Sequence, residues 1–302
     1  MAFFDKLAAR RRWLAAVLVV PPALWLFVFL VLPYVALLVQ SFLATDEFGR
    51  IVYSPTLDHY ARFLKKPVYY ETLFETFKIA GIVTVLCVAL SVPLAYVIAF
   101  KVKKYKSLLY TLVIVPLWVS YIVRAYAWKI ILGREGILNS FLNFTGITDE
   151  PVDAFLYSRA AVIIGLVHIF TPFVLMPVYT AFEHIPRPLI EASKDLGAGR
   201  FTTFFRIVLP LAMPGIIAGA TFAFVLTLGD FMAVFLLGGP DTLMISNVVQ
   251  NLFGTSDDRP LGSVIGIVML AVVIFILEMT GRAERRLGGE TGKDTRLGGL
   301  KG

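Results

Sequence analysis

The stretch EASKDLGAGRFTTFFRIVLP occupies residues 191–210, a polar island between two long apolar runs. No other part of the chain combines charge, paired glycines and aromatic spacing in this way. Just ahead of it, Pro186 and Pro188 suit the opening of a helix. Glu191 is expected in the first turn, where the helix dipole favours a carboxylate. Glu191 and Lys194 stand one turn apart and can pair. Gly197 can take the left-handed conformation that ends a helix. A second short helix then carries Phe201, Phe204 and Phe205 on one stripe, and Pro210 opens the next apolar run. The expected result is a helix, a glycine turn and a helix lying on a membrane face. Two readings are open: a docking element for a partner, or an amphipathic interfacial segment with none.

The composition supplies the membrane. The 302 residues are 58% hydrophobic and only 16% charged, with mean hydropathy +0.79. Soluble domains carry about a quarter charged residues. A spanning helix needs about 20 largely apolar residues, and six stretches qualify: 14–39, 78–100, 108–132, 160–182, 211–237 and 261–281. Pro33, Pro93, Pro116, Pro172, Pro177 and Pro214 fall inside them, as membrane bundles tolerate. No cleavable signal peptide is expected at the N-terminus. The single Cys87 excludes an internal disulfide and a cysteine-built zinc site, and reads as a small packing residue.

Lysine and arginine placement sets the orientation. One side holds Lys6 and Arg10–Arg12, then Lys101, Lys103, Lys104 and Lys106, then Arg187, Lys194, Arg200 and Arg206, then the C-terminal cluster from Arg282 to Lys301. The other side holds Arg50, Arg62, Lys65, Lys66, Arg134, Arg159 and Arg259 on longer connections. The richer side reads as cytoplasm. The expected architecture is an all-α membrane protein of six spans with both termini cytoplasmic. Residues 1–13 form a basic tail, 14–281 a single transmembrane domain with segment 186–210 at its cytoplasmic face, and 282–302 a flexible tail. Residues 56–64 read as a capped short helix, 139–151 as a loop and 238–240 as a tight turn. The net charge of +7 is then topology signalling rather than a nucleic-acid surface.

No catalytic or nucleotide motif survives inspection. GETGKDT in the tail has Leu287 where a phosphate loop needs glycine, and Asp294 where it needs Ser or Thr. GAGRFT misses the dinucleotide fingerprint at Thr202. His59, His168 and His184 are too scattered for a metal site or a triad. The chain reads as no enzyme, with no cofactor and no metal of its own.

Ionisable groups at membrane depth are the remaining signal, because they are costly there and face a cavity or a partner. Asp230 sits roughly 10 Å, and Arg124 roughly 12 Å, from the outer ends of their spans at the helical rise. Asp230 either lines a path for a cation or pairs with Arg124 to hold two helices together. Trp118, Tyr121, Tyr126 and Trp128 cluster in the third run. They read as interface anchors or as an aromatic wall for a cation.

At residues 191–210 the chain resembles the permease subunits of ABC importers. Their signature is Glu-Ala-Ala, three residues, Gly, nine residues, then Ile, any residue, Leu-Pro. Glu191, Ala192, Gly197, Ile207, Leu209 and Pro210 match it, with Ser193 in place of the second alanine. LVQSFL at Leu38, TLDHYARFL at Thr56, IVPLWVSYIVRAYAWKIIL at Ile114, LPLAMPGIIAG at Leu209 and LLGGPDTLMISNVVQNLF at Leu236 resemble the spermidine/putrescine type. The resemblance implies a type I importer permease in a bacterial inner membrane. It implies a second permease, expected to be a different chain, a dimeric ABC ATPase carrying ATP and Mg, and an extracytoplasmic binding protein. Glu191 to Gly197 would be the helix that seats on the ATPase. The expected cargo is a polyamine-like organic cation. Alternatives are a permease for ferric iron, an anion or an opine-like compound, or an ATPase-independent secondary transporter. The candidate path residues, Asp230, Arg124, Trp118, Tyr121, Tyr126 and Trp128, come from charge and depth rather than from the family.

Overall fold

A computed structural model describes residues 17–46 and 50–297. The expected basic tail 1–13 and the first residues of the first span lie outside the described residues, as do the last five of the C-terminal tail. The described elements in chain order are α1 (Val17–Gln40), β1 (Leu43–Thr45), β2 (Ile51–Pro55), α2 (Asp58–Lys65), α3 (Pro67–Lys101), α4 (Lys106–Ile114), α5 (Tyr121–Leu132) and α6 (Ile137–Phe144). They continue with α7 (Arg159–Glu183), α8 (Arg187–Asp195), α9 (Arg200–Leu228), α10 (Met232–Leu237), α11 (Ile245–Phe253) and α12 (Arg259–Leu297). Five helices are long and apolar enough to cross a membrane, and a sixth crossing results if one sharply bent pair counts as a single span.

By contacts the chain divides into residues 1–66 with 251–271, and residues 67–250 with 272–302. In the first part, β1 and β2 form an antiparallel hairpin. The expected short helix at 56–64 is present as α2, but its N-cap is Leu57 and carries no side-chain cap; Thr56 Oγ1 instead accepts from the Asp58 N–H at 3.1 Å just ahead of it. Arg62 bridges to Asp258 at 2.7 Å, and Ser263 Oγ donates to Gln40 Oε1 at 3.0 Å.

The second part is a helical bundle with α7 at its centre. Val162, Leu166, Ile169, Val174, Leu175 and Phe182 on α7 are fully buried. The sequence allows α9 to approach α7 closely, because Gly215 and Gly219 are one turn apart on the contact face. A Cβ at Gly215 would lie 2.6 Å from the Pro177 carbonyl oxygen, and one at Gly219 would lie 2.9 Å from that of Val174. Small residues at this spacing let membrane helices meet backbone to backbone. Ser91 Oγ, on α3, donates to the Thr171 carbonyl at 3.2 Å.

Several expected boundaries moved. Helix α3 starts at Pro67 rather than at 78. Its polar early turns face protein partners: Glu75 forms ion pairs with Lys78 at 2.7 Å and Arg159 at 3.4 Å, and Thr76 Oγ1 accepts from the Ile245 N–H at 2.9 Å. The third run is two pieces, with a bend of 94° between Lys106–Trp118 and Tyr121–Phe144. Pro116 removes one ladder donor there, and a tight turn, Val115–Trp118, leads into extended backbone at Val119. The fifth span ends at Leu228 instead of 237. Residues expected as loop at 139–144 lie in α6, where buried Asn139 bonds the Gly133 carbonyl and both the carbonyl and the N–H of Val152. Helix α12 continues to Leu297, past residue 282 where the tail was expected to begin. Extending an existing helix is far easier than starting one, and the Glu278–Arg282 pair at 2.8 Å spans the expected break.

Candidate functional site

Two clusters bear on function, and both lie within residues 67–250. The first is the signature segment. Helix α8 begins behind Pro186, as expected, with Pro188 in its first two positions. Glu191 is the fifth helical residue, so it stands in the second turn rather than the first. The helix closes as a Schellman motif. Gly197 has φ of +80°, its N–H donates to the Lys194 carbonyl at 2.8 Å, and the Ala198 N–H donates to the Ser193 carbonyl at 3.0 Å. No heavy atom lies within 4 Å of a Cβ at Gly197, so the glycine is required by backbone conformation and not by space.

Ser193, the departure from the signature, has a structural use. Its buried hydroxyl shares a 2.8 Å hydrogen bond with Thr203, whose hydroxyl donates to the Gly199 carbonyl at 3.1 Å. The two limbs of the turn are therefore tied side chain to side chain. Thr203 was not singled out in the sequence. The three phenylalanines do not share one stripe. Phe204 faces inward, its ring centroid 5.2 Å from Tyr96, while Phe201 and Phe205 are 81% and 58% exposed. Past Phe204 the backbone widens into a π turn, Phe204–Val208, just before Pro210. A proline ring clashes with the carbonyl four residues earlier, and here that residue, Arg206, lies inside the wider turn. Ile207 and Leu209 are half-buried, Ala192 and Pro210 exposed. Leu209 packs on the bundle core, so the segment is continuous with α9.

The second cluster forms where two helices break. Between α9 and α10 the chain leaves helical geometry at Gly229 and Asp230. Asp230 then caps α10: its Oδ1 accepts from the Ala233 N–H at 2.9 Å. Across from it, α5 starts at Tyr121 immediately after the break in the third run. The Tyr121 hydroxyl donates to Asp230 Oδ2. Ser246 Oγ donates to the Asp230 carbonyl at 2.5 Å, and Asn247 Nδ2 donates to the Phe231 carbonyl at 2.9 Å. These two α11 residues were missed in the sequence. The polar pair opening a helix after LLGGPDTLM was the available signal.

The Asp230–Arg124 pair, one of the two readings of these charges, does not form. Arg124 Nη1 donates to the Ile169 carbonyl at 3.3 Å instead, and its buried Nε has no hydrogen-bond partner among the described residues. Its guanidinium lies 6.0 Å from the Tyr121 ring centroid. The reason is geometric: Tyr121 and Arg124 are one turn apart on α5, and the tyrosine reaches the carboxylate first. Nor do the aromatics form one wall. Trp118 is 79% exposed, Tyr126 is exposed beside Lys129, and Trp128 sits edge-on to His168 at 5.6 Å. The structure thus brings together Asp230, Tyr121 and Arg124, and leaves Trp118, Tyr126 and Trp128 apart from them. A cavity of about 280 Å³ borders Tyr121, Ile122, Asp230, Phe231 and Met232. An ionised carboxylate offers about four acceptor sites, and two on Asp230 are taken. Among the described residues, no three His, Cys, Asp or Glu side chains converge as a metal site.

Comparison with known proteins agrees with this architecture. Residues 91–287 match the family described as "Binding-protein-dependent transport system inner membrane component". The chain is 39% identical over 263 residues to the spermidine/putrescine transport system permease protein PotB of Escherichia coli K12, covering 87% of this chain and 95% of that one. It is 37% identical to the protein of the same name from Haemophilus influenzae, over 83% of this chain and 88% of that one. Among solved structures, a bacterial ABC transporter involved in the import of the acidic polysaccharide alginate contains a similar chain. The TM-score is 0.75 at 21% identity, with 95% of this chain and 99% of that chain covered. That likeness establishes a shared fold.

Proposed function

The chain belongs to the binding-protein-dependent transport system inner membrane components, as a multi-pass inner-membrane protein, and from that premise we propose that it is the permease subunit of an ATP-driven importer of a polyamine-like organic cation. The observation that carries the cargo is the 39% identity, over 87% of this chain, to a relative named for spermidine and putrescine. In this reading the bent pair is one crossing, which makes six spans with both termini in the cytoplasm. A second permease of different sequence completes the path. A dimeric ATPase binds ATP and Mg below, this chain holding no nucleotide, and a binding protein delivers cargo from outside.

Glu191, Ala192 and Gly197 would lie on the face that seats on the ATPase, with Ser193 buried behind it and tying it to Thr203. Ile207, Leu209 and Pro210 would carry its movement into α9. The physical support is the closed turn: the Schellman bonds and the Ser193–Thr203 link make residues 187–203 a stiff block. Asp230 would attract the cation at the break between α9 and α10, with Tyr121 holding its carboxylate until cargo arrives. A cationic ammonium can replace the tyrosine hydroxyl as a donor to the same oxygen.

The test is spermidine uptake by the full transporter in proteoliposomes, with binding protein and ATP supplied. Asp230→Asn should lower uptake by about tenfold or more, as expected for one lost charge-assisted hydrogen bond. ATPase recovery should be unaffected. Unchanged uptake by an intact complex ends the path role of Asp230, and uptake without the ATPase ends the importer reading. A second reading, an anionic cargo, draws on the unpartnered Nε of Arg124. It predicts that Arg124→Gln, and not Asp230→Asn, abolishes transport.

A further inference from the structure

We infer that the base of the signature segment is a binding site for an anionic phospholipid of the inner leaflet. This rests on the chain's membrane location and is independent of the cargo. A cavity of about 540 Å³ lies between α8 and the end of α3, bordered by Lys101, Arg187, Lys194, Arg200 and Glu191. It therefore gathers four cations against one carboxylate. Among the described residues, none of the four cations reaches a carboxylate within ion-pair distance. By contrast Lys106, close by in sequence, is bridged to Glu183. The cavity thus carries a surplus of positive charge.

A second cavity, about 550 Å³, shares Tyr96, Lys101 and Arg200 with the first. Its remaining walls are apolar: Val92, Pro93, Val97, Phe201, Phe204 and Phe205. The two spaces border the same three side chains, so a headgroup in the first and an acyl tail in the second would be adjacent. Val92 is nine residues up α3 from Lys101, roughly 13 Å along the helix. That end of the groove is at membrane depth, beyond the reach of a cytoplasmic protein. An occupant needs an apolar tail for the groove and a negative head for the cationic cavity. An anionic phospholipid has both. A choline or ethanolamine headgroup brings a cation that the surplus positive charge repels. The exposed faces of Phe201 and Phe205, one turn apart, would lie along the acyl chain.

The experiment is native mass spectrometry of the complete transporter titrated with dioleoylphosphatidylglycerol or dioleoylphosphatidylcholine. The wild type should retain the glycerol lipid in clear preference. Lys101→Ala with Arg200→Ala should reduce that preference by about thirtyfold, from the usual contribution of each cation near an anionic headgroup. Lys101→Arg with Arg200→Lys should preserve it. Equal retention of both lipids by the wild type, or an undiminished preference in the alanine pair, overturns the site. The alanine pair could fail to assemble, so the wild-type complex is also labelled with a phosphatidylglycerol carrying a photoreactive acyl chain. Label at residues 92–97 or 201–205 is the expected result. Label elsewhere, or a photoreactive group at residue 205 that captures the ATPase or the second permease instead of lipid, refutes it.

Discussion

Residues 186–210 and the break around Asp230 are both polar and both interrupt apolar helices, yet they are held in different ways. The hydrogen bonds of the first run between residues ten or fewer positions apart: Gly197 to Lys194, Ala198 to Ser193, Ser193 to Thr203. Those of the second include one local cap, Asp230 to Ala233, but the bonds that tie its helices together join remote parts of the chain. Tyr121 and Asp230 are 109 residues apart, and Arg124 and Ile169 are 45 apart. A locally bonded unit keeps its shape when the helices around it shift. A unit bonded across helices changes whenever they do. The first is therefore suited to transmit displacement and the second to respond to it. Rotation of α5 against α9 would part Tyr121 from Asp230 and leave Ser193 on Thr203. Interfaces with two discrete arrangements are how small displacements become switches.

The sharpest way to break this contrast is a pair of double-mutant cycles. For Tyr121→Phe with Asp230→Ala, a hydrogen bond to a buried charge predicts a coupling of about 1.5–3 kcal/mol. It is read as the resistance of the purified complex to denaturant. That coupling should change when ATP binding is trapped, because the bond joins moving elements. The Ser193→Ala with Thr203→Val coupling should be the same in both states. A Tyr121–Asp230 coupling that is insensitive to nucleotide would remove the distinction.

Next in size is Gly197→Val. The site has room for the side chain, so the whole effect comes from φ of +80°. An L-residue in the left-handed region costs about 1–2 kcal/mol, and a β-branched one stands at the upper end. Recovery of the ATPase subunit and coupled uptake should fall together, by roughly five- to thirtyfold. Gly199→Ala, with no positive φ and open space at its Cβ, should leave both near wild type. Equal losses from the two substitutions would mean that the positive φ at Gly197 is not what the segment depends on.

The same division explains what the sequence revealed. Gly197, the prolines before α8 and the signature spacing are local chemistry, and local chemistry is written contiguously. The existence of the apolar crossings was legible for the same reason, since about 20 apolar residues in a row have few other destinations. Their breaks were not legible. Pro93, Pro172, Pro177 and Pro214 all lie within continuous helices, while Pro116 sits at a break. A proline kinks or breaks a membrane helix according to which neighbours satisfy the freed carbonyl, and neighbours are a tertiary fact. Charge alone suggested Arg124 as the partner of Asp230. The phenol of Tyr121, one turn earlier, fills the place, and no sequence period encodes that choice.

The smallest effect tests whether the departure from the signature matters. Ser193→Ala restores the usual residue and removes the buried link to Thr203. The Thr203 hydroxyl keeps its bond to the Gly199 carbonyl, so no donor is orphaned. The expected loss is about 0.5–1.5 kcal/mol, measured as a lower denaturant midpoint for the complex. Cargo affinity should be unchanged, because the link is within one stiff block and reaches no helix of the Asp230 break. If Ser193→Ala instead altered cargo affinity while leaving the midpoint fixed, the two regions would share more than a lever, and the hydroxyl would belong to the moving parts.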